Sequence, residues 1–286
     1  MASSITLPDS RKLSYSFDES PPGAPTVLLS SSLCAPFTAW DHVVPILNRN
    51  GFRTLRYDPP GHGDSSAPDA LDTTTFDSIS DDVRLLLRSL NIAKLHSWVG
   101  VSMGAATGIV FATKYPGVVS KLVICDTISS SPVNAGVDDA FGPRVAAART
   151  TGNLESIVQG TLERWFGTEW LDVNPQETQR MRNLMLRTSI DGFETCCHAL
   201  RSPSFDLRPL FAKVGASVDD AICVVGEKDV NLLQAMSVMR AKIAEGFAAA
   251  GKSNNIELAI IKNAGHVCFI DGLDQFSQII TSFLKA

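Results

Sequence analysis

A serine set between two glycines, Gly100-Val101-Ser102-Met103-Gly104, is the densest chemical signal in the chain. A serine hydroxyl is a weak nucleophile until a base takes its proton and a carboxylate orients that base. The G-x-S-x-G spacing provides a way to present one. Its glycines permit a sharp turn from strand to helix that lifts the hydroxyl clear of a sheet. The helix N-terminus then brings the Met103 N–H and a positive dipole end to the same place. Of five histidines, His266 is the strongest candidate base, because Asn263-Ala264-Gly265-His266 follows a short apolar run and so falls in a loop past a strand. His42, His62, His96 and His198 sit in helical, turn or strand-start positions and read as structural or surface. For the carboxylate, Asp229 follows the apolar run Ala221–Val225 in Gly226-Glu227-Lys228-Asp229. Asp126, directly after Lys121–Cys125, is its rival. Glu227 comes too early in its turn to point the same way.

The flanking pattern says which elements must position these groups. Ile5–Leu7 and Lys12–Phe17 alternate about Pro8-Asp9 and predict a hairpin. Thr26–Ser30, Phe52–Tyr57, Lys94–Val101, Lys121–Cys125, Ala221–Val225 and Ile256–Ile261 read as buried strands. Helices are expected over Phe37–Asn50, Asp77–Leu90, Met103–Tyr115, Asn231–Ala250 and Leu273–Lys285. Strands alternating with helices predict an α/β fold, a mostly parallel sheet covered on both faces. Residues 128–209 break the rhythm with helical stretches alone, such as Arg144–Arg149, Leu154–Phe166 and Gln176–Thr188. They read as a helical cap domain inserted into a core formed by residues 1–127 and 210–286. Such a cap would lie over the sheet's C-terminal edge, where ligands bind in open α/β sheets.

Composition narrows the classes. With 44% apolar and 19% charged residues in 286, the chain can bury a large core and is neither disordered nor a disulfide scaffold. A net charge of −5 argues against nucleic-acid binding through a general basic field. The six cysteines lack paired zinc-site spacing, and no apolar run precedes Asp9, Arg11 and Lys12 as in a secretory signal. Reduced thiols and a cytoplasmic location are the expectation, with no metal and no organic cofactor. Leu95–Thr113 carries no charged residue and has glycines at 100, 104 and 108, but Ser97, Ser102, Thr107 and Thr113 weaken a membrane reading. A small-molecule substrate is expected, and homo-oligomerisation is left open.

The order Ser102, Asp229, His266 is that of an α/β-hydrolase. The run Ser32-Leu33…Trp40-Asp41, then Arg56-Tyr57-Asp58…Gly61-His62-Gly63, resembles the 3-oxoadipate enol-lactone hydrolases. So do Arg164-Trp165-Phe166, Thr188-Ser189…Gly192-Phe193…Cys196-Cys197 and Asp206-Leu207 in the cap region. The resemblance spans nearly the whole chain. It implies an oxyanion hole formed by the N–H groups of Leu33 and Met103. This sequence departs from the family at Cys34 and Ala105, where glycine is usual, and at Asp271-Gly272, where a Glu-Pro pair is usual.

Arg164 and Trp165 have two readings, a guanidinium clamping a substrate carboxylate beside an aromatic wall, or a surface arginine beside a packing tryptophan. The function expected is a serine hydrolase that opens a lactone or cleaves a small ester through an acyl-enzyme. A C–C bond hydrolase acting on a vinylogous diketone would use the same three residues. So would a biosynthetic or ligand-sensing protein built on the scaffold.

Overall fold

Past the first hairpin, all strands but the last bury side chains on both faces, which requires a layer of helices on each side. The computed structural model describes residues 2–286, with the side chain of Val230 outside that description. Its strands are β1 (Ser3–Thr6), β2 (Lys12–Asp18), β3 (Thr26–Ser30), β4 (Arg53–Tyr57), β5 (Leu95–Val101), β6 (Val119–Cys125), β7 (Asp220–Gly226) and β8 (Glu257–Ile261). They form one sheet in the order β1-β2-β4-β3-β5-β6-β7-β8. β1, β2 and β4 pair antiparallel, and all pairings from β4 to β8 are parallel.

Alternation along the strands divides the apolar side chains into two cores. Leu28, Trp98, Leu122 and Cys223 face one core, and Val27, Val99, Val123 and Val224 the other. The first core is closed by α2 (Phe76–Ser89), α3 (Met103–Lys114), α10 (Arg208–Ser217) and α11 (Val230–Ala249). The second is closed by a 3₁₀ turn (Phe37–His42), α1 (Val44–Arg49), α12 (Cys268–Asp271) and α13 (Leu273–Lys285). The single helix expected over Phe37–Asn50 is therefore two pieces. Pro45 has no N–H and its ring would clash with a carbonyl one turn back, so it fits only in the first turn of a restarted helix. Thr75 and Ser78 form a reciprocal capping box that starts α2.

Between β6 and β7 the described residues form seven helices and no named strand. These are α4 (Pro132–Ala135), α5 (Gly142–Thr151), α6 (Glu155–Phe166), α7 (Thr168–Val173), α8 (Pro175–Met185), α9 (Ile190–Arg201) and α10. Among the described residues, no helix is long and apolar enough to cross a membrane. The glycines spaced along β5 and α3 have a packing cause instead. A Cβ on Gly100 would overlap the Gly104 carbonyl, one on Gly104 the Ser30 carbonyl, and one on Gly108 the Trp98 indole. All six cysteines are buried free thiols.

Candidate active site

Parallel register brings the strand ends to one edge. Ser30 pairs with Gly100, Val101 with Cys125, and Gly226 with Ile261. The residues just beyond, at 31–34, 102, 126, 227–229 and 262–266, therefore share that edge. β3 is followed in chain order by β4 on one side, while β5 lies on the other, so the order reverses between β3 and β5. Such a switch point is where a crevice opens in a parallel sheet.

Ser102 stands on the turn out of β5 with φ 54° and ψ −118°, a left-handed conformation that is strained for a residue with a side chain. Close packing of Gly100 on Gly104 and of Gly104 on Ser30 makes that turn obligatory. Met103 opens α3, so its N–H has no intrahelical acceptor. Opposite lies the loop after β3. There the Cys34 N–H donates to His62 Nε2 at 2.9 Å and the Ala35 N–H to the Ser32 carbonyl at 3.0 Å, while the Leu33 N–H carries no such bond among the described residues. Cys34 has φ 65°, which is why a glycine suits that position in the resembling family.

His62 is fully buried, and its Nδ1–H donates to the Pro60 carbonyl at 3.0 Å. Burial pushes its pKa down to about 4, so the ring is neutral at pH 7 and its Nε2 can accept. The sequence reading of His62 as structural is sharpened, since it ties the Gly61-His62-Gly63 turn to the Leu33-Cys34 loop. The other three histidines lie elsewhere. His42 meets Glu177, His96 meets the Leu284 carbonyl, and His198 lies on α9.

His266 is 8% exposed, and its Nδ1–H donates to Asp229 Oδ2 at 2.6 Å. Asp126, the rival carboxylate, is fully buried, with Oδ1 accepting the Gly226 N–H at 2.9 Å and no bond to His266. Burial drives its pKa well up. Glu227 turns outward to Lys262 and the Asn263 N–H. The His266 loop is held from three sides. Its own N–H donates to the Trp165 carbonyl at 3.1 Å, the Gly265 N–H to Asp271 Oδ2 at 2.7 Å, and the Lys228 N–H to the Ala264 carbonyl at 2.8 Å. Asp271, at the departure from Glu-Pro, thus supports this loop, and burial raises its carboxyl to about 6.

One cavity of about 80 Å³ joins these elements, lined by Ser102, His266, Leu33 and Met103 together with Arg164 and Trp165. Ser102 and His266 share it without a recorded hydrogen bond between them, although such bonds often close only around substrate. A single water needs roughly 10–15 Å³ on this measure, so the space suits a small molecule. Trp165 is buried and stacks on the His266 ring at 5.8 Å between centroids and 26° between planes. Arg164 reaches the same space from the end of α6; the residue as a whole is exposed, while its charged end is partly shielded at the cavity. Burial first, and then the nearby Arg144, lower its pKa. Arg144, on α5, lines the cavity too, and nothing in its sequence context singles it out.

The α/β-hydrolase fold family matches residues 25–183, more than half of the chain. A 3-oxoadipate enol-lactonase of Acinetobacter baylyi is 27% identical over 270 residues, 93% of this chain and 91% of that protein. The structure of an enol-lactonase from Burkholderia xenovorans LB400 superposes with a TM-score of 0.83 at 26% identity, covering 99% of this chain and 100% of the other. A hydrolase from Pseudomonas aeruginosa gives 0.84 at 25%, covering 100% and 98%. A parallel sheet with Ser102 on a strained turn and the His266–Asp229 pair at the same edge carries the signature of that fold, and the chain belongs to the α/β-hydrolase family.

Proposed function

We propose that this protein is a serine hydrolase that opens a lactone or cleaves a small carboxylic ester. The observation that carries the reading is the His266–Asp229 hydrogen bond beside a cavity that His266 shares with Ser102 on its strained turn. Ser102 Oγ attacks the acyl carbonyl as His266 Nε2 takes its proton. Asp229 fixes the tautomer that leaves Nε2 free and stabilises the imidazolium. The N–H groups of Leu33 and Met103 receive the oxyanion. His266 then protonates the departing alkoxide or enolate, and a water activated by the same ring releases the acyl group from Ser102. Residues 128–209 act as the cap over a core of residues 1–127 and 210–286, with Trp165 shielding His266 and Arg164 facing the substrate. The relatives named enol-lactonases support the lactone reading.

The test is a fluorophosphonate probe with intact-mass readout, run beside turnover of a γ-lactone or small ester. One adduct per chain is expected, absent in Ser102→Ala, with turnover lower by about 10⁴-fold or more in that variant. Undiminished turnover by Ser102→Ala would sink the assignment. Product analysis separates ester cleavage from C–C cleavage, which would release a ketone and an acid.

A further inference from the structure

Eight arginines lie between residues 128 and 209. Six of them, Arg149, Arg180, Arg182, Arg187, Arg201 and Arg208, each meet a carboxylate within ion-pair distance. Among the described residues, the side chains of Arg144 and Arg164 meet no carboxylate and make no hydrogen bond. Those two are the ones that line the cavity shared by Ser102 and His266. A guanidinium offers only donors, so two that line one small cavity repel each other and favour an acceptor placed between them, even though Arg164 is exposed and Arg144 half-buried. Trp165 adds to the imbalance, because its indole Nε1–H is buried without an acceptor. No Asp or Glu lines the cavity among the described residues. Its unmet polar capacity is thus largely donor capacity, and the missing complement is a compact oxyanion.

We propose that Arg144 is a second anion-binding residue of this cavity, gripping, together with Arg164, one carboxylate of the substrate. Arg144 lies in the first turn of α5 and Arg164 in the last turn of α6, so the two forks come from different helices. A carboxylate has enough lone-pair sites to accept from both. The inference rests on the hydrolase reading above and narrows it to lactones or esters that carry a free carboxylate. Arg144 then sets specificity and takes no part in proton transfer.

The test compares monomethyl glutarate with its uncharged amide counterpart, both followed by acid release. Wild type should prefer the carboxylate ester. Arg144→Gln should lower that preference by about tenfold to a hundredfold, mainly through KM, and Arg144→Lys should recover part of it. Binding of glutarate to Ser102→Ala, measured by calorimetry, should weaken by a similar factor when Arg144→Gln is added. That measurement needs no turnover. Weakened glutarate binding with no hydrolysis of either ester by wild type would uphold the anion site and refute the hydrolase reading. Equal losses on both esters, or glutarate binding indifferent to Arg144, would overturn the proposal.

Discussion

His62 shows how a side chain remote from bond-making can govern the site. Its Nε2 accepts from the Cys34 N–H next to Leu33, so it sets the pose of the N–H proposed to meet the oxyanion. His62→Ala should reduce kcat by about tenfold to a hundredfold with little change in KM, because a misplaced donor fails mainly in the transition state. His62→Gln keeps an acceptor at the same reach and should retain more activity. The two residues also differ in their response to acid. With a folded pKa near 4 and an unfolded value near 6.5, His62 gains its proton in the unfolded chain first. Its contribution is therefore whole above pH 6.5 and shrinks as pH falls towards 4, by at most about 3 kcal/mol. Asp58 and Asp271, raised to about 6 by burial, act in the opposite sense, favouring the folded state as pH falls from 6 towards 4. Urea unfolding between pH 7 and 4.5 should show His62→Gln losing less stability than wild type over that range. Parallel curves would mean that His62 is not held neutral.

Among the elements, α6 matters most, because its C-terminal end touches the His266 loop directly. The Trp165 carbonyl accepts the His266 N–H, and a Cβ on Gly265 would overlap that carbonyl. Gly265→Ala must push α6 and the loop apart, so a loss of about 1–3 kcal/mol is expected, with turnover falling as His266 shifts. Gly160 lies in the same helix with nothing near its missing Cβ. Gly160→Ala should therefore stabilise the protein by about 0.4–1 kcal/mol at unchanged activity. Thermal melts of the two variants against wild type decide this, and shifts of the same sign would discount the contact. Much of this was hidden from a sequence pattern. The short α12 has no capping side chain, because packing on the core sets its ends, whereas α2 announces itself through Thr75 and Ser78 and α9 through Ser189, whose hydroxyl accepts the Gly192 N–H.

Across the whole molecule, the helices between β6 and β7 are pinned to the rest at several places, among them the Thr74–Thr195 hydroxyl pair at 2.6 Å and the Arg187–Asp64 ion pair, and two contacts lie close to the site. One is the α6–His266 contact, and the other joins Gly61 to α9. There the Ser189 N–H donates to the Gly61 carbonyl at 2.9 Å, and neither Gly61 nor Gly192 has room for a Cβ. Substrate entry should therefore need only local opening. Hydrogen exchange of the free protein should show the Ser189 and His266 amides protected nearly as well as the β5–β6 ladder, whereas exchange within seconds would reveal a cap that lifts as a unit. The local patterns in the chain determined the sheet, its alternating faces and the strand-to-helix turn at Ser102, because hydrophobic period and glycine placement act over a few residues. They also marked Ser102, Asp229, His266, Arg164 and Trp165 as candidates. Only the tertiary structure decided that His266 meets Asp229 and not Asp126, that His62 braces the loop at Leu33, and that Arg144 joins Arg164 while six neighbouring arginines are paired elsewhere. Those outcomes depend on which loops meet at the strand ends and which charges find partners, contacts between residues up to a hundred or more positions apart that no local spacing encodes.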